Sequence, residues 1–313
     1  MKIVFMGTPD YAAVTLKKLI NDKFDIAAVF AQPDKPVGRK HILTPPPVKV
    51  CAEENNIPVF QPETFKDGKA YEILREINPD IIVVVAYGKI LPKAVLDIPK
   101  LGCVNGHASL LPEYRGASPI QWCIVCGEKV TGVTTMLMDE GMDTGDILET
   151  AEVEIGQEET AEELFDRLAE ISADLMVSTL KGLEKGEITP KPQNHNEATY
   201  APIIKKEMAL LDFENKTAEE IHNAVRGYYS WPCAYFFRNG KRIKVISSRI
   251  GDKTDKKAGT VIDNTDELVV ACKGGRSIRL LIVQPEGSKQ MTAKQMLCGN
   301  PIPIGESVGD ANG

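Results

Sequence analysis

The fold is decided by residues 2–20, KIVFMGTPDYAAVTLKKLI, where a continuous apolar run ends at Gly7 and a helical pattern follows. The run over Lys2–Gly7 predicts a buried strand, and the apolar spacing over residues 12–20 predicts the helix after it. Other short apolar runs share the continuous character of strands covered on both faces; they lie at residues 26–31, 81–86 and 103–104. Helical segments separate these runs, so the order predicts a doubly wound, mostly parallel α/β sheet.

The predicted secondary-structure pattern changes after residue 205. Residues 187–205 are rich in proline, polar and charged residues, and we predict a linker there. Beyond it, Asn239-Gly240 and Gly274-Gly275 each separate two strand-like runs, which indicates two hairpins. Short strands at this spacing predict a small, OB-like β-barrel. The chain of 313 residues is therefore expected to form an α/β domain over residues 1–186 and a barrel domain over 206–313.

The net charge of −7 is the sum of an acidic first part and a basic second part of the chain. Residues 1–200 carry 20 basic and 31 acidic side chains, whereas residues 201–313 carry 17 basic and 13 acidic ones. Eight basic residues against two acidic ones fall within residues 238–257. The second half is therefore compatible with a nucleic-acid partner, although a solvated lysine-rich surface would give the same count.

Several classes of protein and site are disfavoured by the sequence. A composition of 43% hydrophobic residues is enough for a large core, and apolar runs are too short to span a bilayer. The seven scattered cysteines and the absence of a leader-like start favour a cytoplasmic protein with reduced thiols. Gly7 lacks the two further glycines of a dinucleotide fingerprint, and Cys123 and Cys126 lack a second ligand pair for zinc.

Asn105 and His107 follow a short apolar run and lie two residues apart. On an extended backbone their side chains point to the same face, and ligands bind beyond the carboxyl ends of parallel strands. An amide donor and an imidazole suit acyl chemistry, since the first can hold an oxyanion and the second can donate or shuttle a proton. A capping asparagine and a hydrogen-bonded core histidine would show the same spacing.

An acidic partner for His107 is expected from the loop at residues 141–145, which a glycine flanks at each end. Asp143 lies at its centre, but Asp139, Glu140 and Asp146 are neighbours, and local chemistry does not choose among them. No serine or cysteine lies in an activating elbow, so the constellation indicates direct transfer between two bound substrates.

The motifs together resemble those of the folate-dependent formyltransferases. They comprise Gly7-Thr8-Pro9, the run from Ala86 to Pro92, Asn105-Gly-His107-Ala-Ser109-Leu-Leu-Pro112, Tyr114-Arg-Gly116, Pro119-Ile-Gln121 and Gly141-Met-Asp143-Thr-Gly145-Asp146. The resemblance continues through Tyr200-Ala201 and Trp231-Pro232 into the second half, where it is to the members that formylate initiator tRNA. It implies a Rossmann-like catalytic domain and transfer of a formyl group from 10-formyltetrahydrofolate to the α-amino group of methionyl initiator tRNA.

The same resemblance implies roles for particular residues. Asn105, His107 and Asp143 would form the catalytic trio, with no metal or redox cofactor. The folate would contact Ser109, Leu110, Leu111 and Pro112, and backbone groups of Lys89, Ile90 and Leu91. The family's tRNA-contacting loop matches a proline-rich insertion at residues 32–49, which makes Arg39 and Lys40 candidates for phosphate contact. Arg242, Lys244 and Arg249 are candidates in the basic barrel.

Two departures from the family pattern stand out. Gly106 replaces the apolar residue usual between the asparagine and the histidine, and we expect it to remove a core contact and loosen the backbone. The glycine- and proline-rich tail from Gly299 matches no motif. The alternatives to a tRNA substrate are an amino sugar nucleotide or glycinamide ribonucleotide as acceptor, and an RNA-binding protein without activity. We expect a monomer.

Overall fold

The computed structural model describes residues 1–38 and 41–309. They divide into two compact units. Unit 1 comprises residues 1–119, 130–154 and 165–201, and unit 2 comprises residues 120–129, 155–164 and 202–313, of which 310–313 fall outside the described residues. No helix in the described ranges is long and apolar enough to cross a membrane.

Unit 1 is built on a seven-stranded sheet. Its strands and the smaller pairs beside it are β1 (Lys2–Gly7), β2 (Asp25–Phe30), β3 (Lys35–Val37), β4 (Ile42–Thr44), β5 (Val59–Phe60), β6 (Ile81–Val85), β7 (Cys103–His107), β8 (Arg115–Gly116), β9 (Val130–Leu137), β10 (Ile147–Glu154) and β11 (Tyr200–Ala201). The helices are α1 (Asp10–Asn21), α2 (Pro47–Glu54), α3 (Lys69–Ile77), α4 (Lys93–Leu96), α5 (Pro119–Val125) and α6 (Ala161–Lys185). The last two run across the division between the units.

The strand order of the large sheet is β10-β9-β7-β6-β1-β2-β5. Strands β7, β6, β1, β2 and β5 are parallel, whereas β9 and β10 are antiparallel to their neighbours. The predicted mostly parallel α/β sheet is therefore confirmed. The parallel strands are largely continuous apolar runs because both faces of the sheet are covered: all five residues of β6 and five of the six residues of β1 are buried.

The two faces of β7 have different neighbours. Cys103 belongs to a core cluster with Leu74 of α3 and Val95 of α4, and Asn105 and His107 follow it on the same face. Gly106 points to the other face, where an added Cβ would lie 3.1 Å from Ser172 Oγ and 3.4 Å from Met176 Cε. Gly106 has no side chain to contact the core, as expected, but side chains of α6 lie close enough to fill the space.

Unit 2 contains an antiparallel sheet of strands β12 (Tyr235–Arg238), β13 (Lys241–Lys253), β14 (Val261–Asp263), β15 (Leu268–Cys272), β16 (Arg276–Pro285) and β17 (Met291–Thr292), with helices α7 (Ala218–Gly227) and α8 (Ala293–Gly299). Its order is β12-β13-β16-β15-β14, and β17 pairs with β16. Both predicted hairpins are present. Asn239 and Gly240, the two residues between Arg238 and Lys241, have positive φ, as a type I′ turn requires. The second hairpin has three residues between Cys272 and Arg276, and its two glycines also have positive φ.

The tail connects the two edges of this sheet. Gly309 forms an antiparallel bridge with Phe237 of β12, and Ser307 forms one with Thr260 beside β14. The main chains of Gly305 and Glu306 also hydrogen bond with Val261. The segment of residues 305–309 therefore satisfies edge groups of both strands and closes the sheet into a barrel.

Candidate functional site

The loops that carry the candidate residues leave one edge of the parallel sheet. Strands β1, β6 and β7 are neighbours and end at Gly7, Val85 and His107. Ligands of open α/β sheets bind beyond this edge, and Asn105 and His107 lie on one face of β7 as it reaches it. The amide and the imidazole that the sequence singled out therefore lie at the edge of the sheet where ligands of such folds bind.

His107 is held by the main chain of a turn that follows it. Its side chain is only 7% exposed. Nε2 lies 3.0 Å from the carbonyl oxygen of Tyr114, which can only accept a hydrogen bond, so Nε2 carries a proton and donates. The other nitrogen, Nδ1, lies 3.7 Å from Asp143 Oδ2. This separation is too long for a hydrogen bond but short enough for the carboxylate to attract a positive charge on the ring. Nδ1 is therefore free to form a hydrogen bond with a substrate atom.

Asp143 is fixed by an unusual loop conformation. Its φ is +55°, a region that aspartate tolerates better than most residues, and Gly116 N–H donates to Oδ2 at 2.8 Å. Gly145 is required two residues later, because a Cβ there would overlap the carbonyl oxygen of Leu137. The neighbouring Asp139 instead accepts hydrogen bonds from the Gly141 amide and the Thr144 hydroxyl. Of the four acidic candidates, Asp143 is the one that lies within 4 Å of a His107 ring nitrogen in the described residues.

The turn after β7 is organised by a buried threonine. Thr134 Oγ1 donates to the Ser109 carbonyl at 2.7 Å and accepts from the Leu111 amide at 3.0 Å. Ser109 Oγ is also used internally, since it donates to the Glu113 carbonyl at 2.6 Å. Ser109 and Leu111 are buried, whereas Leu110 and Pro112 are half-buried. The candidate folate residues at 109–112 thus form a rigid turn whose hydroxyl is already engaged.

The loop after β6 leaves main-chain groups free. Lys89 Nζ donates to the carbonyl oxygens of Pro62 and Glu63, so its charge anchors the loop. Ile90 is 84% exposed and Leu91 is buried. In the described residues, no backbone hydrogen bond engages residues 89–91. Their N–H and C=O groups are therefore available to a ligand with an amide-like edge.

The start of this loop is tied to its surroundings. Gln32 Nε2 donates to the Tyr87 carbonyl at 3.0 Å, and Thr8 Oγ1 donates to the same oxygen at 3.1 Å.

Burial raises the pKa of the Tyr87 hydroxyl above its usual value, and burial also raises the pKa of the Cys103 thiol on β7 to about 12. Both groups therefore stay neutral at physiological pH.

Two side chains next to this constellation were not among the predicted site residues. Gln193 Nε2 donates to the carbonyl oxygens of Asp143 and Gly145, and Gln193 Oε1 accepts from Arg115. Arg115 lies between Tyr114 and Gly116, the residues whose main chains contact His107 and Asp143. Arg115 fell inside a recognised motif, but Gln193 lies in a segment whose composition indicated only a linker.

The candidate tRNA residues of unit 2 lie on β13. The Arg242 guanidinium lies 5.7 Å from the centre of the Tyr235 ring, and Lys244 is paired in register with Tyr235 and Gln284. Neither these residues nor Arg249 has an ion-pair partner in the described part of the chain, unlike Arg238, which pairs with Glu306. Arg39 and Lys40 lie outside the described residues.

Metal-ligating side chains do not gather in the described structure. No group of three or more His, Cys, Asp or Glu residues is placed there to hold a metal ion. Cys123 of the Cys-x-x-Cys pair is buried, and its Sγ lies 3.1 Å from the Ile120 carbonyl. Cys126 is exposed.

Comparison with known families matches both halves of the chain. Residues 1–180 match the model of the formyl transferase family, and residues 203–301 match that of the formyl transferase C-terminal domain. The methionyl-tRNA formyltransferase of Thermodesulfovibrio yellowstonii is 47% identical over 300 residues, covering 96% of each chain. That of Clostridium perfringens is 49% identical over 310 residues, covering 98% of this chain and 99% of the relative.

Solved structures share the fold at lower identity. A sugar 3N-formyl transferase crystallised with dTDP and 5-N-formyl-THF superposes with a TM-score of 0.67 at 20% identity, covering 92% of this chain and 99% of the other. The N-formyltransferase of Helicobacter canadensis, in complex with folinic acid and dTDP-3-aminofucose, gives a TM-score of 0.68 at 22% identity and covers 91% and 99%. At this identity the likeness concerns the fold alone.

Proposed function

The chain belongs to the formyl transferase family, and from that premise we propose that it transfers a formyl group from 10-formyltetrahydrofolate to the α-amino group of methionyl initiator tRNA. The acceptor is supported by near full-length relatives named methionyl-tRNA formyltransferase. The chemistry is supported above all by one observation. The Asp143 carboxylate lies 3.7 Å from His107 Nδ1, beside the strand that also carries Asn105.

The proposed mechanism is direct attack of the amine on the formyl carbon. Asn105 and a protonated His107 stabilise the tetrahedral oxyanion, since both offer N–H donors at the end of β7. The Asp143 carboxylate faces Nδ1 of the imidazole at 3.7 Å, and the Tyr114 carbonyl orients the ring through Nε2. A water beside Asp143 accepts the proton that the amine loses. The folate nitrogen takes up a proton as its bond to the formyl carbon breaks, so the transfer is neutral overall.

The proposed folate site uses main-chain groups more than side chains. The free backbone groups of Lys89, Ile90 and Leu91 suit the donor and acceptor edge of a pterin. Ser109, Leu110, Leu111 and Pro112 then form the wall beside the formyl group. Because Lys89 Nζ and Ser109 Oγ are engaged within the protein, their contribution is to hold the loops in place.

Unit 2 supplies the proposed contacts with the tRNA body. Arg242, Lys244 and Arg249 form no ion pair in the described ranges, although Glu286 lines the same pocket as Arg242 and Lys244. Phosphate groups can therefore pair with these cations without breaking an internal ion pair. Arg39 and Lys40 remain our candidates for the acceptor end. We propose catalysis for the sequence-defined residues 1–186 and tRNA binding for 206–313, in a cytoplasmic monomer; the segment predicted as a linker at 187–205 belongs to unit 1 as far as residue 201.

The purified protein, 10-formyltetrahydrofolate and methionyl initiator tRNA test the proposal directly. We expect formyl-methionyl-tRNA, and no turnover when an amino sugar nucleotide or glycinamide ribonucleotide replaces the tRNA. Turnover of a small acceptor alone would replace the tRNA assignment and keep the chemistry. Binding of tRNA without turnover of any acceptor would support the inactive RNA-binding alternative.

The tRNA surface is tested separately by salt titration. The Arg242→Ala/Lys244→Ala double variant is expected to lower the slope of log K against log salt by about 2, one for each lost phosphate contact. Lys294→Ala is the matched control, because Lys294 already pairs with Asp266 and should leave the slope unchanged. Equal slopes for the wild type and the double variant would exclude these two residues from the interface.

A further inference from the structure

Gln193 is buried within a segment that is otherwise largely exposed. Its residue is 6% exposed, while its neighbours Pro192 and Asn194 are exposed. The main chain of Lys191 forms two hydrogen bonds of 2.8 Å with Ile147 at the start of β10. The segment is therefore attached to the sheet of unit 1 immediately before Gln193, which directs the side chain inward.

Each end of the Gln193 amide contacts a different part of the site. Nε2 donates to the carbonyl oxygen of Asp143 at 2.9 Å and to that of Gly145 at 2.7 Å. Oε1 accepts from Arg115 Nη2 at 2.6 Å and from Nε at 3.2 Å. Since guanidinium only donates and carbonyl oxygens only accept, these partners fix the orientation of the amide.

The two parts of the site joined by this amide are the ones that hold the catalytic pair. On one side is the loop in which Asp143 has a φ of +55°. On the other is Arg115, itself 2% exposed, between the Tyr114 carbonyl that accepts from His107 and the Gly116 amide that donates to Asp143. Gln193, fifty positions after Asp143, thus contacts both the loop that carries Asp143 and the arginine beside the groups that hold the pair.

We propose that Gln193, acting through Arg115 and the loop at residues 141–145, is a positioning residue for Asp143 and His107. The inference rests on the proposed function, in which these two groups stabilise the oxyanion. Holding a reacting constellation in place matters because a displacement of about 1 Å can cost about 100-fold in rate. A conformation with positive φ at a non-glycine residue persists only when surrounding contacts impose it, and Gln193 supplies two of them.

Only an amide meets both requirements. A carboxylate at position 193 would still accept from Arg115, but it would face the Asp143 and Gly145 carbonyl oxygens without a donor. An apolar side chain would leave the buried guanidinium, within the described residues, with one side-chain partner, Nδ1 of His195 at 3.0 Å. Both changes therefore release the loop, the first by repulsion and the second by loss of contact.

The test compares Gln193→Glu and Gln193→Leu with Asn196→Leu, which makes the same amide-to-leucine change at an exposed position of the same segment. We expect both Gln193 variants to lose about 30-fold or more in kcat with KM for folate and tRNA within about threefold. Asn196→Leu should match the wild type. Wild-type turnover in the same assay checks the proposed function independently.

Two further measurements separate positioning from general destabilisation. In the Asp143→Asn background, Gln193→Leu should cost little more, because the group it positions is already lost. Hydrogen exchange should rise at residues 141–146 and stay unchanged in Lys2–Gly7. Full additivity with Asp143→Asn, exchange that rises throughout unit 1, or unchanged kcat in both variants would each overturn the proposal.

Discussion

His107 Nε2 donates a hydrogen bond of 3.0 Å to the carbonyl oxygen of Tyr114, seven residues further along the chain. A main-chain carbonyl cannot change its protonation state, so this contact fixes which imidazole nitrogen faces the protein. Nδ1 is left to the substrate and to Asp143. The contact therefore determines the geometry of any proton transfer by this histidine.

Replacing His107 tests the role of Nδ1. His107→Ala removes both nitrogens, while His107→Gln can keep a donor toward Tyr114 but places no charged group beside Asp143. We expect both variants to lose about 10²- to 10⁴-fold in kcat, the range for a general acid or an oxyanion donor. The dissociation constant for tRNA should stay within about twofold, as measured by filter binding. An active His107→Ala protein would remove this residue from the mechanism.

Thr134→Val tests the turn at residues 109–112. The substitution keeps the shape but removes the hydroxyl that bonds the Ser109 carbonyl and the Leu111 amide. Leaving these buried groups without a partner costs about 1–3 kcal/mol, and we expect a KM for folate raised by about tenfold. Thr131→Val on the same strand serves as control, because the Thr131 hydroxyl does not bond the turn. Equal KM values for the two variants would contradict the role of the hydroxyl.

Gly145→Ala tests the path of the Asp143 loop. The new Cβ would overlap the Leu137 carbonyl oxygen, so the loop must move and take Asp143 with it. We expect formylation to fall by about 100-fold or more in steady-state assays. Gly299→Ala is the control, since the space around Gly299 is open and its rate should stay within twofold. A fully active Gly145→Ala enzyme would show that the loop position is not critical.

His222 should make the free energy of unfolding depend on pH. Burial, and then the neighbouring Arg226, lower its pKa, while Glu158 opposes them, and His222 Nδ1 lies 3.0 Å from Ser248 Oγ. The folded protein therefore binds this proton less readily than the unfolded chain. Stability is complete above the unfolded pKa near 6.5 and falls as the pH drops below it, by no more than about 1.4 kcal/mol per pH unit.

Urea unfolding between pH 7.5 and 5.5 measures this effect. His222→Gln should flatten the decline, whereas His41→Gln, at an exposed position, should follow the wild type. Parallel curves for the wild type and His222→Gln would show that this histidine does not carry the pH dependence.

The sequence could predict the parts of the site that depend on local periodicity. Asn105 and His107 are two residues apart on a strand, and the carboxyl-end rule places them beside a crevice. The sequence could not predict that the Tyr114 carbonyl accepts a hydrogen bond from His107, or that Gln193 contacts the Asp143 loop. A main-chain acceptor has no side-chain signal, and the contact between Gln193 and Asp143 depends on a long return of the chain. The choice of Asp143 over Asp139 likewise required the loop conformation, which local composition does not encode.

The tail that closes the barrel also has a consequence for biosynthesis. Residues 305–309 are translated after every strand they join, and residues 120–129 and 155–164 belong to the same compact unit. Residues 120–129 and 155–164 are synthesised early, but the rest of their unit, residues 202–313, is synthesised last. The sheet of unit 1, in contrast, contains no residue beyond 201. Unit 2 can therefore be completed only when residues 305–309 have left the ribosome, whereas every segment of unit 1 is available once residue 201 has.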